Sequence, residues 1–234
     1  MFERPHHRRI ARVLEALDGE RLGASACLFG GGTAMALRFG EYRESLDIDF
    51  LVSDLAGYRL LRQQLADRSD LAPLLRPGHS LPLTRPWRAD QYGLRTRVQV
   101  DEVEIKFEIA LEARIALDEP QELVCGVPSL SARDLVASKL LALADRWADD
   151  AVHSRDLIDL AMMAPPQALF LQGLHKAQAA YGQAPVESLN KAVAALRQRP
   201  QRLDQCLRAL DMQGLSKAEL WSRIKALARR LPKA

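Results

Sequence analysis

The chain has 234 residues, 48% of them hydrophobic and 27% charged, with a formal net charge of +3. That length allows one large domain or two modest ones with a real core, and so small a net charge carries no argument for nucleic acid by itself. Cys27, Cys125 and Cys206 form no CxxC pair, no run reaches the roughly 18 apolar residues of a membrane span, and the basic start MFERPHHRRIARV lacks a signal peptide's apolar stretch, so a soluble cytoplasmic protein with reduced thiols is expected.

Residues 7–22 carry Ile10, Val13, Leu14 and Leu17 at helical spacing and predict an opening amphipathic helix. ASACLF, residues 24–29, is a short strand candidate that runs into Gly30, Gly31 and Gly32. TAMALRFG predicts about two helical turns, stopped at Gly40. DIDFLVS (47–53) reads as a strand, 56–67 as a helix, and the Pro- and Arg-rich stretch 71–90 as loop. Two more strands, 92–100 and 103–114, are joined closely enough to predict a hairpin. After Pro128 the pattern is helical, with breaks at Pro165-Pro166, Gly182 to Pro185, Pro200 and Gly214. The first half is therefore mixed α/β and the second a helical bundle, joined near residues 118–129. Arg197, Arg199, Arg202, Arg223, Arg229 and Arg230 of the late helices are candidates for a cationic surface, although amphipathic helices place charge on their solvated faces in any case.

Three features point to chemistry. In a strand, residues two apart project to one face, about 6.5–7 Å apart along the chain, so Asp47 and Asp49 project together while Ile48 and Phe50 face a core. Such a pair can grip a hard cation such as magnesium, whose remaining positions go to water and substrate phosphates; the plainer account is two solvated aspartates at a strand end. VEIKFEIAL alternates an apolar face with a charged one, so Glu104 or Glu108 can add a third carboxylate if this strand lies beside DIDF. The glycines, followed by Thr33, sit between a strand and a helix, where backbone N–H groups and the helix N-terminus make an anion site. No lysine follows to make a P-loop, and Met35 stands where a dinucleotide fingerprint needs its third glycine. In LVASKLLALA, Lys139 is the only charge and needs a partner, either a phosphate or Asp156. Asp159 reads as structural, and Ser45 as a turn serine close enough to the pair to be a regulatory hydroxyl.

FGGGTAMALRFGEYRESLDIDFLV, followed by an acidic strand, PSLSARDLVASKLLALADRW and HSRDLIDLAMM, resembles the AbiEii/AbiGii-type nucleotidyltransferase toxins of the polymerase-β-type superfamily. The resemblance runs through most of residues 25–163. It implies an α/β nucleotidyltransferase-like domain, a short mixed sheet with helices over residues 1–120, followed by an all-α helical domain over 121–234 that completes the active site. It also implies an enzyme that uses Mg²⁺ or Mn²⁺ and a nucleoside triphosphate. Gly31, Gly32 and Thr33 would form the nucleotide-phosphate turn, Asp47 and Asp49 the metal ligands, and Glu108 the third carboxylate. Lys139 would serve the triphosphate and Asp156 would face the site. The implied partners are an RNA acceptor such as the acceptor end of tRNA and a cognate antitoxin. A small-molecule nucleotidyltransferase of the aminoglycoside-modifying kind, and a nucleotide- or partner-binding module without catalysis, are the alternatives.

Overall fold

The computed structural model describes residues 2–66 and 68–232. Asp67, at the end of the helix predicted over 56–67, lies outside the described residues. The chain forms two compact units, one of Met1–Arg38 with Ser45–Ser131 and one of Phe39–Glu44 with Ala132–Ala234.

In the first unit, α1 (Pro5–Ala16) opens on a proline whose fixed φ suits the first helical position, and it buries Ile10, Val13 and Leu14 completely. The helix predicted over 7–22 breaks here. Asp18 caps a second helix, α2 (Gly19–Ala24), by accepting from the Glu20 and Arg21 N–H groups. A Cβ on Gly19 would lie 2.2 Å from the Gly126 carbonyl oxygen, so the restart admits no side chain. Strand β1 (Leu28–Phe29) leads into α3 (Gly31–Arg38), and β2 (Ile48–Val52) into α4 (Leu55–Leu65). Then come β3 (Leu83–Ala89), β4 (Gly93–Val100), β5 (Val103–Leu111) and the hairpin β6 (Glu122–Val124) and β7 (Val127–Ser129).

These strands form one mixed sheet in the order β3-β4-β5-β2-β1-β7-β6. The β2–β5 and β1–β7 pairs are parallel and the other neighbours antiparallel. β3 occupies part of the stretch that reads as loop. Its Pro86 is tolerated because β3 is the edge strand and register shifts flank the proline. One face of the sheet is apolar. Ring centroids of Phe29, Phe50 and Phe107 on three adjacent strands are 5.6 and 5.5 Å apart, and Trp87 meets Phe107 edge-on at 5.9 Å. Alternation along β2 and β5 turns Asp49, Lys106 and Glu108 to the other face.

The elements of the second unit are helical: α5 (Ala132–Arg146), α6 (Arg155–Met163), α7 (Gln167–Tyr181), α8 (Ala184–Gln198), α9 (Arg202–Ala209) and α10 (Lys217–Ala228). The predicted Pro and Gly breaks fall at the junctions between them. α5 packs on α6, α7 and α8, and a Cβ on Gly173 of α7 would sit 2.5 Å from Val136 Cγ1 of α5. Phe39–Glu44, drawn from the connection between α3 and β2, also belongs here, with the Glu44 N–H donating to the Leu210 carbonyl at 3.0 Å.

Candidate active site

The turn from β1 into α3 is built against β2. The Gly30 N–H donates to the Asp49 carbonyl at 2.9 Å. Gly31 has φ +68°, and a Cβ there would stand 2.5 Å from the Asp49 carboxylate. Only glycine adopts that backbone without strain and leaves that space, which explains why Gly31 and Asp49 occur together. Thr33 is buried; its hydroxyl donates to the Asp47 carbonyl at 2.5 Å and lies 2.8 Å from the Ser45 hydroxyl. The Thr33 side chain thus fixes the entry into β2, and its own N–H and that of Gly32 belong to the first turn of α3. The Ser45 N–H donates to Nε2 of the fully buried His7 at 3.1 Å, and His6 Nε2 lies 3.0 Å from the Leu46 carbonyl oxygen. The adjacent histidines of α1 therefore hold the backbone just ahead of Asp47. Sequence pattern carries no sign of this, because the pairings span 38 and 40 residues.

Asp49 and Glu108 are register partners across the parallel pair β2–β5. Of the two candidate glutamates, Glu108 is the one placed beside Asp49. Glu104 lies four residues earlier on β5, opposite Gln99, and pairs with Arg97 at 3.6 Å. Glu108 accepts from Arg95 Nε at 2.7 Å and from Lys106 Nζ at 2.5 Å. Burial would lower the Lys106 pKa, but Glu108, Asp49 and Asp47 together raise it above the ordinary lysine value. Lys106 is thus the counter-ion of the carboxylate face. Among the described residues, no three His, Cys, Asp or Glu side chains stand together as a metal-holding group. The donor set nevertheless fits a hard cation. Asp47, Asp49 and Glu108 offer only carboxylate oxygen, and Gly31 leaves open the space against the Asp49 carboxylate that a side chain would fill.

Lys139 and Asp156 lie in the second unit, where they meet. The Lys139 ammonium, on α5, reaches Asp156 at 3.1 Å and Asp159 at 2.6 Å, both on α6. Spacing of three puts these aspartates on one helix face. Arg146, two turns beyond Lys139, gives Asp156 a forked contact at 2.7 and 2.9 Å. Arg43 grips Asp159 at 2.7 and 3.0 Å, and the Tyr42 hydroxyl donates to it at 2.7 Å. Burial alone would raise both carboxyls. Lys139 and Arg146 hold Asp156 below the usual carboxylate range, and Arg43 and Lys139 hold Asp159 well below it. Sequence reasoning missed Tyr42, Arg43 and Arg146. The i, i+7 spacing of Lys139 and Arg146 was a usable signal for the last; nothing local announces the other two.

Comparison with known proteins gives a consistent answer. The family model described as nucleotidyl transferase AbiEii toxin, type IV TA system, matches residues 12–232. No curated protein matches the chain. Two solved structures resemble it in fold. One is a Helicobacter pylori protein described as a candidate nucleotidyltransferase, 17% identical, with TM-score 0.53, covering 96% of this chain and 91% of that one. The other is JHP933 from Helicobacter pylori, 15% identical, with TM-score 0.52, covering 96% of this chain and 88% of that one. No helix among the described residues is long and apolar enough to cross a membrane.

Proposed function

The chain belongs to the AbiEii family of nucleotidyl transferase toxins of type IV toxin–antitoxin systems, and on that premise we propose that it transfers a nucleotide from a nucleoside triphosphate to an RNA acceptor such as the acceptor end of tRNA. Membership also implies an antitoxin partner. The observation that carries the reading is the register of Asp49 beside Glu108, with a glycine turn closed directly onto the Asp49 carboxylate.

In this proposal Asp47 and Asp49, joined by Glu108, hold Mg²⁺ or Mn²⁺. A cation held there would supply Lewis-acid polarisation of the phosphate and charge neutralisation for the pyrophosphate leaving group. The chain's own groups do the rest. Gly31, Gly32 and Thr33 present backbone N–H groups at the start of α3 to the triphosphate. Lys106 balances the carboxylates before the substrate arrives, and Glu108 must yield its contact with Lys106 to join the set. Lys139, in the helical unit, is held there by Asp156 and Asp159. Thr33, Ser45 and His7 fix the Asp47 backbone so that the carboxylates start in place, which lowers the cost of orienting them during reaction. Incubation with each labelled triphosphate, a divalent cation and total RNA tests the proposal. Label should enter RNA; label that enters a small molecule, or nothing, contradicts it.

A further inference from the structure

The outer strands of the sheet carry an arrangement that the reaction at Asp47 and Asp49 does not use. Across β3 and β4, Arg85 stands opposite Arg97, and Arg88 opposite Arg95. Residues three apart on a regular strand face opposite sides, so Arg85 and Arg88 should not share a face. They do so because the register shift between them inserts one extra residue, turning Trp87 into the core and both arginines outward. The result is a block of four guanidinium groups in which like charges sit directly opposite each other, an arrangement that repels. Internal acids neutralise only part of it. Arg95 meets Glu108 and Asp90, and Arg97 meets Glu104 at 3.6 Å. Arg85 and Arg88 are exposed, and their side chains have no ion-pair or hydrogen-bond partner among the described residues.

The block is collinear with the carboxylates. The register runs Arg88, Arg95, Glu108, Asp49 across four adjacent strands, so β3 lies about 14 Å from β2, three strand spacings of ~4.8 Å. We propose that Arg85, Arg88 and Arg97 hold backbone phosphates of the RNA acceptor strand, whose end lies at Asp47 and Asp49. This rests on the reading that RNA is the acceptor. A polyanion with regularly repeated phosphates spans such a row, and guanidinium groups match phosphate geometry with paired donors. Tyr92, 66% exposed in the β3–β4 hairpin, offers the aromatic face on which an unpaired base stacks, a feature that an acidic protein surface does not call for. In the helical unit, Arg199 is paired with Asp150 at 2.6 Å and Arg202 is buried against the Asp150 carbonyl and Gln205, while Arg197, Arg223 and Arg229 are exposed.

The test compares the full-length protein with R85Q/R88Q and R85K/R88K. Anisotropy of a labelled single-stranded RNA and of unfractionated tRNA is measured between about 50 and 200 mM salt. The Gln pair should lose about tenfold or more in RNA affinity, and its log–log salt slope should flatten by ~1.5, since each phosphate contact contributes roughly 0.7–0.9. The Lys pair should keep the slope. The melting shift given by Mg²⁺ with a nucleoside triphosphate should be the same in all three proteins. Wild-type protein that transfers nucleotide to RNA while the Gln pair retains affinity and slope overturns this inference alone. Wild-type protein that binds no RNA overturns the RNA reading along with it. A Gln pair that binds RNA normally but no longer associates with the antitoxin assigns the block to a protein partner, and a loss confined to triphosphate binding assigns it to the nucleotide; either overturns the inference.

Discussion

Gly31 ties the glycine triplet to the acidic pair. With φ +68° and a would-be Cβ 2.5 Å from the Asp49 carboxylate, Gly31→Ala combines backbone strain with a collision. The substitution should cost about 1–3 kcal/mol and reduce nucleotide transfer per folded molecule, as measured by chemical denaturation alongside label incorporation. Asp159 governs the other cluster. It is fully buried and takes Arg43, Tyr42 and Lys139. Asp159→Asn leaves the buried Arg43 without a carboxylate and Lys139 with Asp156 alone, and should cost about 3–5 kcal/mol. Lys139→Met should cost less, because Asp156 keeps Arg146 and Asp159 keeps Arg43, as denaturant unfolding of the two variants checks. The same cluster sets acid stability. The carboxyls of Asp156 and Asp159 are lowered in the folded state, so as pH falls the unfolded chain takes up their protons first, near its ordinary aspartate pKa of about 3.9. The stabilisation is complete above that pH and is lost as pH drops through the depressed folded values. Equilibrium unfolding of Asp159→Asn should therefore show a shallower loss of stability below about pH 4 than wild type does.

At the scale of elements, the sequence was most readable where one pattern ran without interruption. β2 and β5 alternate cleanly, so the placement of Asp49 and Glu108 on a charged face followed from period alone, and the helix breaks followed from Pro and Gly. β3 was not readable because Pro86 and three polar or charged neighbours obscure a strand whose only deeply buried side chain is Trp87. α1 and α2 read as one helix because the apolar spacing continues through Asp18, whose capping role depends on a backbone turn that periodicity does not register. β6 and β7 are too short to carry a period. The β3 bulge yields its own prediction. Trp87 packs edge-on to Phe107 and donates from Nε1 to the Asp70 carbonyl at 3.1 Å. Trp87→Ala should therefore cost about 3–5 kcal/mol despite lying on an edge strand, whereas the exposed neighbours Arg85 and Arg88 can be replaced within about 0.5 kcal/mol. Denaturant midpoints of the three variants decide this.

At the scale of the molecule, the chain leaves the sheet unit at Arg38 and returns at Ser45, so that the segment carrying Tyr42 and Arg43 folds with the helices shortly before Asp47 and the strand of Asp49. No sequence period marks such an excursion, and Arg43 escaped notice for that reason. The change of pattern after Pro128 marked where the run of helices from α5 begins, but an all-α part from residue 121 is not what forms, because β6 and β7 join the sheet through Phe29 and Ser129; the matching family model spans nearly the whole chain. The central claim remains the carboxylate pair, and Asp49→Asn tests it most directly. The substitution preserves shape but removes one charge and one proposed metal ligand beside Lys106. Melting temperature is measured with and without Mg²⁺ and nucleoside triphosphate, and label transfer is followed on the same samples. The account predicts unchanged or higher stability without metal, a melting shift on ligand addition that largely disappears, and transfer reduced by at least about 10²–10³-fold. An Asp49→Asn protein that keeps the ligand-induced shift and transfers at near the wild-type rate would contradict it.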